Sequence, residues 1–129
     1  MSEFCRWLKE EGVPVEDIIY RGFLGKEEMY LKYTRRFKTD ENIKKLGEYL
    51  EEQNPREAFR AAHTLKGVVE NFGWRPLVPS VYSLVEKLRG DSEVGGKTVE
   101  EVFAPQEEIW GLYQQLQQEI EDIIQHIEI

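Results

Sequence analysis

The chain has 129 residues, 40% of them hydrophobic, which suits a single domain, residues 1–129, with one sizeable core. Its 25 acidic and 17 basic residues leave a formal charge of −8, a field that repels nucleic acid and anionic lipid and sets both aside as partners. Cys5 is the only cysteine, the N-terminal MSEFCRWLKEEG lacks the apolar core of a signal peptide, and no run approaches the roughly 20 apolar residues of a spanning helix; a cytoplasmic protein without intramolecular disulfides is expected.

Helical periodicity runs along nearly the whole chain, and strand alternation is convincing nowhere. From Ser2 to about Glu11, Phe4, Trp7 and Leu8 recur at helical spacing and Gly12 is placed to stop what reads as a docking helix. Val15, Ile18 and Ile19 begin a short second helix that ends near Gly22 to Gly25. A third starts at Lys26 and carries Met29, Tyr30, Tyr33 and Phe37, with the tyrosines and Phe37 expected in the core. Asp40 is a good N-cap for a fourth stretch bearing Ile43, Leu46 and Leu50, so that one bent helix or two would fit this region.

The fifth helix opens with Asn54 as N-cap and Pro55 at the first helical position, where a missing amide proton costs little, and Gly73 is placed to end it. Ala58, Ala61, Ala62, Leu65, Val69 and Phe72 form one apolar stripe. At about 100° per residue, His63 points roughly 150° from the centre of that stripe and faces solvent, with Arg56, Phe59, Lys66, Gly67 and Glu70 on the same side. Pro76 begins a further helix with the stripe Leu77, Val81, Leu84, Val85 and Leu88, running to Gly90. Residues 90–97, GDSEVGGK, read as a flexible loop. Thr98 and Glu101 then have capping-box spacing, Pro105 breaks or restarts the helix, and Ile109, Leu112, Leu116, Ile120, Ile123 and Ile127 continue a long amphipathic stripe. Helices with one apolar face and short connections argue for an all-α fold, an antiparallel four-helix bundle with one or two additional short N-terminal helices.

The octapeptide RAAHTLKG, Arg60 to Gly67, is where the sequence carries chemistry. Imidazole has an ordinary pKa near 6.5, so an exposed histidine at neutral pH offers a nucleophilic nitrogen that can take a phosphoryl group. Lys66, at i+3 from His63, is within reach of oxygens on such a group. Gly67, at i+4, costs about 1 kcal/mol against alanine inside a helix, a penalty more readily explained if a second protein must approach His63. Each residue also has a plain reading, since exposed histidines, surface lysines and mid-helix glycines occur singly in many helices.

His63-Thr64-Leu65-Lys66-Gly67, followed after five residues by Gly73, resembles the signature of the histidine-containing phosphotransfer (HPt) domain of multistep two-component signalling. The segment GVPVEDIIYRGFLGKEEMYLKYTRRF resembles that family's N-terminal lead-in, and Leu84, Val85 and Glu86 fall where its next helix usually ends in an LE pair. The resemblance implies that His63 is the phosphoacceptor, that Lys66 supports the phosphoryl group and that Gly67 clears space for a docking receiver domain. Phe59, Arg60 and Glu70 are the further partner-binding candidates. The implied partners are response-regulator receiver domains and a sensor histidine kinase, met by a monomer that binds no cofactor or metal itself, any magnesium being held by the receiver.

This sequence departs from the family pattern at Val68, Val69 and Glu70, where many members carry serine and alanine after the KG pair, and at Trp74 after the second glycine. Glu70 is expected to select among receivers by charge or to be a solvated surface residue, and Trp74 is expected to plug the core. A phosphate-binding loop and kinase-like glycine spacing are missing, so the chain reads as a phosphotransfer protein, not an autonomous kinase. The dimerisation domain of a sensor kinase fits less well, because Thr64 and not an acidic residue follows the histidine. The phosphotransfer domain of a chemotaxis kinase shares a related motif. The main alternative is a helical adaptor that binds receivers or kinases without phosphotransfer. A metal site is weaker still, because His126, the only other histidine, lies on a different helix.

Overall fold

Local backbone chemistry sets several of the helix ends, most clearly those of the first and fifth helices. The computed structural model describes residues 1–89 and 106–127. The loop expected at 90–97, the Thr98 and Glu101 capping box and the break at Pro105 lie outside the described residues.

Helix α1 spans Glu3–Glu10, with the Ser2 hydroxyl accepting from the Cys5 amide at 3.1 Å, and Gly12 follows at φ +91°. Helix α2 covers Val15–Gly22, and α3 covers Glu27–Phe37. Helix α4, Asn42–Glu51, is separate from α3, and its N-cap is Glu41 and not Asp40 as expected; Asp40 stands one residue further out, where its carboxylate still accepts the Asn42 amide at 2.8 Å. Helix α5 runs Pro55–Phe72, capped by Asn54, whose side-chain oxygen accepts from the Glu57 amide at 3.3 Å. Gly73 closes it at φ +70°, and a Cβ there would collide with the Ile18 side chain, so both backbone and packing demand glycine.

The expected start of the next helix at Pro76 is a 3₁₀ turn, Arg75–Leu77, and α6 proper spans Val78–Leu88. Pro79 has no amide proton to bond the Arg75 carbonyl in the α-helical pattern, and that carbonyl accepts the Val78 amide in the 3₁₀ pattern instead. Helix α7 spans Gln106–His126.

Helix α5 packs on α4 on one side and on α6 on the other, α6 packs on α7, and α7 reaches back to α4. Helices α4 to α7 pack as a helical bundle in this way, with α4 and α5 antiparallel because only residues 52–54 join them. Helices α1 to α3 precede this set, α1 touching α2 and α2 touching α5. The described residues hold helices and no strand, the all-α class expected.

Every position of the α5 and α6 stripes is buried, as are Ile109, Leu116, Ile120, Ile123 and Ile127 on α7, while Leu112 is half-buried. Cys5 and Trp74 are fully enclosed, which fits a packing residue and a core plug. Trp74 stacks edge-on against Phe37 and tilts over Phe72, and its indole Nε1 donates to the Tyr30 hydroxyl at 3.2 Å. Tyr30, Tyr113 and Phe37 are core residues as expected, but Tyr33 is 36% exposed, as are Tyr82 at 39% and Tyr20 at 77%. Tyr33 stays near the surface because its ring carries the Arg36 guanidinium, 5.1 Å from its centroid, and that charge keeps contact with water.

Candidate functional site

Burial on α5 sorts the octapeptide as its angles require. Ala58, Ala61, Ala62, Leu65, Val69 and Phe72 are buried, while His63, Gly67, Glu70 and Arg60 are exposed and Phe59 and Lys66 are half-buried. His63 therefore projects from the middle of a helix that packs against α4 on one side and α6 on the other.

The His63 imidazole lies against the Phe59 ring, one turn earlier, with centroids 5.8 Å apart and planes 37° apart. Among the described residues no side chain or backbone group is hydrogen-bonded to the imidazole, so both ring nitrogens are left to solvent or to an incoming group. Arg89, just past the end of α6, places its guanidinium 5.5 Å from the Phe59 centroid and pairs through Nε with Glu86 at 3.2 Å. Arg60 pairs with Glu57 at 3.3 Å.

Lys66 reaches towards α6, where its ammonium sits 4.5 Å from the centroid of the Tyr82 ring. The Tyr82 hydroxyl donates to the Glu70 carboxylate at 2.6 Å. That hydrogen bond favours the protonated phenol and, with smaller contributions from desolvation and the Glu70 charge, pushes the Tyr82 pKa up from 10.0. Arg89 went unread in the sequence and Tyr82 was read only as one of the core tyrosines, because α6 was read by its apolar stripe alone. The available signal was an aromatic residue beside Val81, off the stripe that buries the helix.

A Cβ added at Gly67 would meet nothing within 4 Å. Internal packing gives no reason for glycine there, in contrast to Gly47, where a Cβ would collide with the Tyr113 hydroxyl. A mid-helix glycine costs about 1 kcal/mol relative to alanine, and among the described residues no packing contact offsets that cost. Beside Gly67 on one flank, Val68 and Asn71 line a groove of about 400 Å³ with Met29, Tyr33, Arg36 and Phe37.

The other histidine is placed elsewhere. His126 ends α7, stacks on Trp7 with centroids 3.8 Å apart and planes 6° apart, and its Nδ1 is 2.7 Å from the Asp122 carbonyl oxygen. Among the described residues no group of three or more His, Cys, Asp or Glu side chains is arranged to hold a metal ion. No described helix is long and apolar enough to cross a membrane.

Comparison with known families matches residues 38–128, most of the chain, to the Hpt domain. No curated protein and no solved structure shows significant similarity to the chain. The matched region takes in the whole of α4 to α7, and the exposed face of α5 lies within it. The chain belongs to the Hpt domain family, whose members carry out histidine phosphotransfer in two-component signalling and interact with receiver domains and kinases.

Proposed function

We propose that His63 is the phosphoacceptor of a reversible relay between receiver domains. The observation that carries this reading is the exposure of His63 opposite the core stripe of α5, with Lys66 and Gly67 on its side of the helix. In the forward step an unprotonated ring nitrogen of His63 attacks the phosphorus of a receiver's aspartyl phosphate. The nitrogen–phosphorus bond forms as the bond from phosphorus to the aspartyl oxygen breaks, and the aspartate leaves as its carboxylate. The same step run backwards onto a second receiver discharges His63.

Lys66 contributes its ammonium to the phosphoryl oxygens, whose charge it stabilises as they transfer. Gly67 leaves room for the receiver's backbone to approach, and Phe59, Arg60 and Glu70 form the rim that a receiver contacts, Glu70 and Arg60 selecting by charge. A sensor kinase domain is a second class of partner for this face. Magnesium, in this reading, belongs to the receiver's carboxylates and the chain carries no cofactor of its own. The protein acts as a cytoplasmic monomer, with α1 to α3 part of one domain spanning 1–129.

The test is to mix the protein with radiolabelled phosphorylated receiver domains and look for acid-labile, alkali-stable label. His63→Gln should take up none while keeping its helical circular dichroism, and His126→Gln should label fully. Undiminished label on His63→Gln sinks the assignment. A His63→Gln protein that binds receivers but never discharges them fits a relay, whereas a wild type that binds and never labels is an adaptor.

A further inference from the structure

Lys66 and Glu70 lie four residues apart on α5, the spacing at which opposite charges pair across one helical turn. Among the described residues they do not pair with each other; both are engaged by Tyr82 from α6. One phenol takes the anion at its hydroxyl, 2.6 Å from the Glu70 carboxylate, and the cation on its face, 4.5 Å from the Lys66 ammonium. Tyr82 is 39% exposed and off the buried stripe of α6, so burial of its ring is not what this side chain is there to supply.

The arrangement has a consequence for any anion arriving at His63. A carboxylate paired with Lys66 would take one or two of the ammonium's three N–H donors and set a negative charge where phosphoryl oxygens must come. An aromatic face meets the ammonium from one side and leaves the remaining donors outward, while the hydrogen bond to Glu70 enriches the ring's electron density and strengthens its hold on the cation. The four-carbon stem of Lys66 is otherwise free to sample many rotamers, and the ring narrows them.

We propose that Tyr82 is a positioning residue for phosphotransfer, holding the Lys66 ammonium on its ring and diverting Glu70 so that the cation stays available to phosphoryl oxygens at His63. This rests on the assignment of His63 and Lys66 above. Tyr82→Phe keeps the ring but releases Glu70 to pair with Lys66, and Tyr82→Leu removes both holds.

Single-turnover transfer from a radiolabelled phosphorylated receiver, over a range of receiver concentrations, separates maximal rate from docking. Tyr82→Phe should lower the maximal rate by about twofold, the scale of one exposed ion pair across a helical turn, and Tyr82→Leu, which also loses the cation–π contact, by about three- to tenfold, with the half-saturating receiver concentration little changed. Adding Glu70→Gln should recover the Tyr82→Phe loss, and Glu70→Gln should raise the rate more in the Tyr82→Phe background than in the wild type. In the unphosphorylated protein, the Lys66 ε-methylene protons should carry an upfield ring-current shift in nuclear magnetic resonance spectra that Tyr82→Leu abolishes. Full maximal rate in Tyr82→Phe, an equal effect of Glu70→Gln in both backgrounds, or no ring-current shift in the wild type overturns the proposal alone. No label on the wild type overturns the phosphotransfer reading and this proposal with it.

Discussion

The Tyr30 hydroxyl donates to the carbonyl oxygen of Phe72 at 2.9 Å, joining α3 to the C-terminal end of the helix that carries His63. The last carbonyls of a helix have no partner within it, and here one is met by a buried phenol that also accepts from Trp74 Nε1. Tyr30→Phe leaves both Phe72 and Trp74 unsatisfied in the core, and should cost about 1–3 kcal/mol in urea unfolding. Burial also pushes the Tyr30 pKa above its ordinary 10.0, so folding favours the protonated phenol. That contribution is present below pH 10.0 and is lost as pH rises through the higher folded value, so wild-type stability should fall in alkali more steeply than that of Tyr30→Phe.

Gly67→Ala should separate stability from activity. Its Cβ has no packing neighbour within 4 Å among the described residues, so the helix should gain up to about 1 kcal/mol and Tm should rise. If Gly67 is there to admit a receiver, the half-saturating receiver concentration should rise at the same time. Unchanged docking would mean that the approach lies elsewhere on the face.

Gly47→Ala should do the opposite. A Cβ there collides with the Tyr113 hydroxyl, which donates to the Ile43 carbonyl at 3.0 Å and so ties α7 to α4. Overpacking of this kind costs about 1–3 kcal/mol, readable as a lower urea midpoint with little change in the Lys66 and Tyr82 resonances.

Lys66→Ala removes the ammonium at the site of transfer. We expect the maximal transfer rate to fall by about 10- to 100-fold, below the range of a full oxyanion donor because Lys66 is only half-buried. Circular dichroism should be unchanged, and a large loss of helicity would make Lys66 a structural residue.

Acid should loosen α1 from α3. The Ser2 backbone amide donates to Glu27 Oε1 at 2.7 Å, and this bond is the first cause of a Glu27 pKa below 4.5. A depressed folded pKa contributes stability that is present above pH 4.5 and lost as pH falls through the lower folded value. Glu27→Gln should remove this part of the acid dependence, seen as a shallower loss of amide protection in α1 between pH 5 and 3.

Much of the fold was legible because its determinants are local. Asn54, Pro55 and Gly73 bound α5 through backbone chemistry within a few residues, and the stripe from Ala58 to Phe72 follows from helical angle alone. The tyrosines were less legible, because helical spacing puts Tyr30 and Tyr33 on adjoining parts of α3 and only the neighbouring elements determine which is enclosed. Tyr30 meets Phe72 and Trp74, whereas Tyr33 meets Arg36 and water.

The same division holds at the candidate site. Sequence alone determined that His63, Lys66, Gly67 and Glu70 share one solvent-facing side of a helix, since that depends only on a rotation of about 100° per residue. It did not determine what Lys66 and Glu70 touch. Their spacing on α5 suits a direct ion pair, and Tyr82, brought in from α6 by the turn at Arg75–Leu77, takes both side chains instead. Contacts between side chains on different helices depend on how those helices are set against each other, and that geometry exists only once the core has packed.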